Sequence, residues 1–186
     1  MKLLPVILLA FSLGLFPAAA GDPSAEALPD ETGRQKFRER SRILVDLDGD
    51  GTTDTLLSNP ASAGNSGVDW SVYLHRQGDF RRIGNLWAHP KAISFERIPG
   101  ESHTGILARV WVYVRGGAGE GSFGYCLVKE DSVEELKAIR IYPGGGKESI
   151  GEKLYAAAFR ESPVPFELEQ SRTTESGEVT WHAVPE

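Results

Sequence analysis

The segment Asp46-Leu47-Asp48-Gly49-Asp50-Gly51-Thr52-Thr53-Asp54 sets four carboxylates around two glycines, three of them on alternate positions. Crowded into one short turn, like charges repel, and each disfavours ionisation of its neighbours. A hard cation reverses that balance: with Ca²⁺ present, the same oxygens become ligands at roughly 2.3 to 2.6 Å. The chemistry these residue types support is oxygen coordination of a divalent ion. A plain acidic β-turn, with Asp and Gly chosen only for turn conformations, needs no such density of Asp. Mg²⁺ fits less well than Ca²⁺, because it demands tighter octahedral geometry and keeps its waters.

Counted from Asp46 against an EF-hand loop, Asp46, Asp48 and Asp50 fall at ligand positions and Gly51 at the sharp turn. Thr52 falls where a backbone carbonyl ligates, and Asp54 at a further ligand position. The bidentate Glu that closes such a loop is replaced by Leu57. The flanks Ile43-Leu44-Val45 and Thr55-Leu56-Leu57 are short and apolar, and Asn59-Pro60 stops a long exiting helix. The expectation is a strand-loop-strand metal site. Its ligand set looks closed and no nucleophile or base is linked to it, so the ion is expected to be structural and the protein non-enzymatic.

Residues 44–57, Leu44-Val45-Asp46-Leu47-Asp48-Gly49-Asp50-Gly51-Thr52-Thr53-Asp54-Thr55-Leu56-Leu57, resemble the calcium loop of FG-GAP and VCBS-type repeats. Those repeats occur in integrin-like propellers and in many exported bacterial proteins. The resemblance implies Ca²⁺ held by Asp46, Asp48, Asp50 and Asp54 plus the carbonyl of Thr52, between two antiparallel strands. It speaks for an ion and not for a molecular activity. The loop occurs once here, whereas propellers carry it in tandem.

The elements that must position this loop read mainly as β. Short β-branched and aromatic runs separated by Gly, Pro, Asp and Asn predict strands near 42–47, 53–58, 70–75, 79–85, 92–98, 105–114, 122–129, 137–142, 166–172 and 178–184. Two hairpins stand out, one turning at Gln77-Gly78-Asp79 and one at Glu175-Ser176-Gly177. Helix is expected in two places: a single turn over Asp131–Leu136, which has an N-cap signal and acidic first-turn residues, and Lys147–Phe159, with one apolar face. The fold class expected is an antiparallel sandwich or layered sheet with one or two short helices.

The domain plan has three parts. Lys2, the apolar stretch Leu3 to Phe16 and Ala18-Ala19-Ala20 predict an export signal over residues 1–20. The stretch is shorter than the about 20 residues of a spanning helix and is interrupted by Pro5 and Pro17, so no membrane span is expected after cleavage. Residues 21–41 read as a flexible N-terminal segment and 42–186 as a single β-rich domain. The expected location is periplasmic or secreted, where calcium is abundant.

Bulk charge narrows the partners. The formal net charge is −6 and becomes −7 once Lys2 leaves with the signal, which argues against nucleic-acid or anionic-membrane surfaces. The alternating basic residues from Arg34 to Arg42 read as a solvated face or as counter-charge to the acidic loop. Cys126 stands alone in an apolar run and is expected to be a buried small hydrophobe.

Other constellations are weaker. Gly144-Gly145-Gly146-Lys147 lacks the following Ser or Thr of a phosphate loop. His75, His89, His103 and His182 show no zinc-ligand spacing. Two alternative functions remain open. One is a binding or inhibitory module for another exported cell-envelope protein, presenting the Gly116–Gly121 loop or the Trp111 and Tyr113 face. The other is an envelope-polymer hydrolase with a cleft assembled from scattered carboxylates.

Overall fold

The computed structural model describes residues 22–25, 39–64, 67–98, 105–115, 121–141, 159, 164–174 and 176–185. Among the described residues, ten antiparallel strands form two sheets: β1 Ser41–Val45, β2 Asp54–Gly64, β3 Gly67–Arg76, β4 Asp79–Ala88, β5 Ile93–Arg97, β6 Ile106–Arg115, β7 Gly121–Lys129, β8 Val133–Ile141, β9 Phe166–Thr173 and β10 Val179–Ala183. The first sheet has the order β10-β9-β1-β2-β3-β4 and the second β5-β6-β7-β8. The mainly β, layered expectation is borne out. Residues 1–20, and with them the expected export signal, lie outside the described residues. No helix among the described residues is long and apolar enough to cross a membrane.

Alternation along each strand builds the core. In β3, Val68, Trp70, Val72 and Leu74 point inward while Asp69, Ser71 and Tyr73 between them stay half-exposed. The inward residues of the first sheet, with Ile43 and Leu56, meet Phe95, Ala108, Val110, Cys126 and Val128 of the second in one buried cluster. Phe95 packs edge-on against Phe166 of β9 at 5.2 Å, which ties the sheets together across the layer. Trp70, fully buried, satisfies its indole N–H by donating to the Ala88 carbonyl at 3.0 Å. Cys126 is buried and takes part in no disulfide.

Both expected hairpins form. Arg76 pairs with Asp79 around Gln77 (φ 52°) and Gly78 (φ 89°), the two left-handed residues of a tight primed turn. Thr173 pairs with Val179 at the β9–β10 turn.

Two expectations need correction or placement. Residues 131–136 are not a helical turn: β8 starts at Val133 and pairs with β7 through Val128↔Val133 and Leu127↔Glu134. The Lys129 N–H donates to the Ser132 carbonyl at 2.8 Å, so Glu130 and Asp131 are a two-residue hairpin turn. Asp and Ser favour turns and helix N-caps by the same local hydrogen bonding, and here cross-strand pairing decides between them. Lys147–Ala158 lies outside the described residues; Phe159 is helical and packs edge-on to Phe123 at 5.8 Å.

On the outer face of the second sheet Phe123 is fully buried, while Trp111, Tyr113 and Tyr125 are half-buried. Trp111 stacks on the fully buried Phe123 with ring centroids 5.1 Å apart, and its indole N–H donates to Glu96 Oε2 at 2.9 Å. At the N-terminal end, Pro23–Ala25 form a 3-10 turn in which Pro23 and Ser24 are buried. The cross-layer role of Phe95 sets a stability expectation. Phe95→Ala should cost about 3 to 5 kcal/mol in urea denaturation; a loss under about 1 kcal/mol would contradict a shared core.

Candidate metal centre

Backbone pairing brings the acidic residues together. β1 and β2 pair in antiparallel register from Arg42↔Leu57 to Val45↔Asp54, so residues 46–53 form the connection between two neighbouring strands in the middle of the first sheet. Leu57 is buried within β2 and takes no part in the loop. The site is therefore strand-loop-strand. Gly49 (φ 82°) and Gly51 (φ 84°) adopt the left-handed conformation that lets the chain turn sharply between the Asp residues.

One carboxylate oxygen from each of Asp46, Asp48 and Asp50 lies within 4.8 Å of the other two, and this group could hold a metal ion. The loop preorganises them through its own amides. The N–H groups of Gly49 (2.6 Å) and Gly51 (3.3 Å) donate to Asp46 Oδ1 and Oδ2, that of Asp50 to Asp48 Oδ1 (3.0 Å), and that of Thr52 to Asp50 Oδ1 (2.7 Å). These are Asx-type turns placed in series.

Asp54 sits apart from that group. Its side chain is fully buried at the start of β2, with Oδ2 accepting the Leu47 N–H at 2.9 Å and Oδ1 the His75 N–H at 2.8 Å. It pins the loop to the end of β3. Burial pushes its carboxyl up from 3.8 to about 6; the two backbone donors work against this, and the charges of Asp50 and Asp46 add to it. Thr52 is placed by its amide bond to Asp50 and is half-buried.

Among the described residues, two arginines pair with the acidic group. Arg76, at the end of β3, pairs with Asp48 and at 3.3 Å with Asp50. Arg97, at the end of β5 in the other sheet, pairs with Asp46 Oδ2 at 3.2 Å and donates to its main-chain oxygen at 2.9 Å. Of the basic N-terminal run, Arg42 pairs with Glu169 and lies over Trp181, while Arg34, Lys36 and Arg38 lie outside the described residues. Arg76 was legible in principle. The pairing Thr55↔Tyr73 carries the end of β3 to the mouth of the loop.

Among the described residues, the remaining candidates do not join this centre. The His75 ring stacks on Phe80 at 4.3 Å, and His182 Nε2 is 3.0 Å from Thr180 Oγ1. Residues 101–104 with His103, 116–120 of the glycine loop and 144–147 lie outside the described residues. A groove of about 620 Å³ beside β9 and β10 is walled by Pro90, Pro165, Phe166, Leu168 and Val184, with Glu167 as its carboxylate. A scan against protein-family models found no match, and neither did searches of curated proteins and of solved structures.

Asp54 generates a pH expectation for protein held in chelator. Its folded-state value of about 6 lies above the ordinary 3.8, so the folded protein keeps a proton the unfolded chain loses, and stability falls as pH rises through that window. The stability of wild type relative to Asp54→Asn should decline from pH 3.8 to about 6 in urea titrations. A difference that stays flat or grows would contradict the burial account.

Proposed function

We propose that this chain is an exported calcium-binding protein of mainly β fold, in which one Ca²⁺ at the Asp46–Asp54 loop acts as a structural staple. The observation that carries the reading is the convergence of Asp46, Asp48 and Asp50 within 4.8 Å on a loop shaped by their own side chains. Oxygen-only donors suit a hard cation, and a loop with two left-handed glycines suits the larger, more adaptable coordination of Ca²⁺ over the strict octahedron of Mg²⁺. The strand-loop-strand setting is the one the resemblance to FG-GAP and VCBS-type loops implies.

In this reading Asp46, Asp48 and Asp50 supply the nearest oxygens. The Thr52 carbonyl and Asp54 complete the set, Asp54 with lone pairs left over from its two amide bonds. An ion there would also favour the ionised form of Asp54 and offset the cost of burying it. The bound ion replaces repulsion among the Asp residues with attraction, which stiffens the β1–β2 connection. Export to a calcium-rich compartment follows from the expected signal over residues 1–20.

Thermal unfolding tests the reading. A ligand at 100 times its dissociation constant stabilises the native state by about 2.7 kcal/mol. EDTA should therefore lower the melting temperature, Ca²⁺ should restore it, and Asp50→Ala should remove the response. Identical melting curves under all three conditions would sink the proposal.

A further inference from the structure

Each carboxylate of the acidic group divides its oxygens between two tasks. Oδ1 of Asp46, Asp48 and Asp50 accepts the N–H of Gly49, Asp50 and Thr52 and so shapes the loop. Oδ2 faces a guanidinium: Arg97 Nη2 at Asp46, Arg76 Nη2 at Asp48 and Arg76 Nη1 at Asp50, with Asp46 Oδ2 also accepting the Gly51 N–H at 3.3 Å. A cation that enters the group competes with these arginines for the same oxygens.

The two arginines differ in what else holds them. Arg97 also donates to the main-chain oxygen of Asp46, and its side chain lies over Gly49, where an added Cβ would come within 3.0 Å of Nε. It is built into the contact between the sheets. Both side chains are partly exposed, Arg76 at 37% and Arg97 at 42%, but Arg76 donates otherwise to the carbonyl of its own neighbour His75 and stays within its own sheet. It can swing into solvent without opening the fold.

We infer that Arg76 is an exchangeable counter-ion of the acidic loop, holding Asp48 and Asp50 until a divalent cation displaces it and thereby setting the affinity and charge selectivity of the site. The inference rests on the reading of the loop as a cation site. Three carboxylates facing two guanidiniums leave a net negative charge. Exchanging Arg76 for a divalent ion lowers the net negative charge of the group by one, whereas exchanging it for a monovalent ion leaves the charge unchanged. A monovalent ion therefore gains no net charge compensation and forfeits the forked geometry of the guanidinium. Na⁺ and K⁺ are held out by a resident cation of equal charge, and a divalent ion is not.

Isothermal titration of the full chain with CaCl₂ at fixed ionic strength compares wild type, Arg76→Gln and Arg76→Lys. Loss of two partly exposed ion pairs from the competing state should tighten calcium binding about tenfold in Arg76→Gln. Arg76→Lys should fall between, because an ammonium cannot span both carboxylates as a fork. Binding no tighter in Arg76→Gln than in wild type overturns the exchange while leaving the calcium reading intact. Absence of binding in wild type and in Arg76→Gln overturns both together. If Arg76→Gln fails to fold, phenylglyoxal labelling of wild type decides: calcium raises Arg76 labelling, read by peptide mass spectrometry, if the guanidinium is released. Unchanged labelling overturns the exchange.

Discussion

Three carboxylates held within 4.8 Å of one another have to be compensated by positive charge, and this requirement organises the junction of the two sheets. The loop that carries them connects β1 to β2 in the middle of the larger sheet, where both strands are committed to neighbours on either side. It cannot relieve its repulsion by spreading out. Compensation reaches it from two directions: Arg76 from the end of β3, and Arg97 from β5 in the other sheet. The acidic connection thus doubles as a contact between layers that also share the apolar core.

Asp54 adds the second constraint. A carboxylate with no exposure is costly unless its oxygens are satisfied, and here both are, by amides from the loop itself and from β3. The cost still shows in the raised pKa of the group. An ion close by offsets that cost, and the same side chain then serves to orient the loop and to favour its occupied form. At Asp48 and Asp50 the Oδ1 oxygens hold the loop's shape while the Oδ2 oxygens meet Arg76, so exchange of that cation for another leaves these backbone hydrogen bonds in place. Affinity can thus be tuned by Arg76 without rebuilding the fold.

Much of this was legible in the sequence, and for a physical reason. Each strand is a short run of alternating apolar residues bounded by turn formers, and the side-chain period of two in a strand is a local property. That is why the strands near 70–75 and 79–85 read as strands before any partner is known. The stretch from Asp131 to Leu136 misled because Asp and Ser serve hairpin turns and helix caps alike, and the deciding contact, Val128↔Val133, belongs to pairing with β7. At the site, the Asp spacing marks the loop, but the distinct place of Asp54 depends on burial beneath it. The arginines escaped because compensation is non-local: Arg97 lies 51 residues from Asp46 and reaches it only through the stacking of the sheets.

The most direct measurement is a crystal structure grown with calcium, with anomalous diffraction collected to locate the ion. The expected result is one anomalous peak among Asp46, Asp48 and Asp50, with oxygens at roughly 2.3 to 2.6 Å. Arg76 should be turned away from Asp48 and Asp50. A loop with no anomalous peak at saturating calcium, and with Arg76 still bridging those two carboxylates, would contradict the central claim.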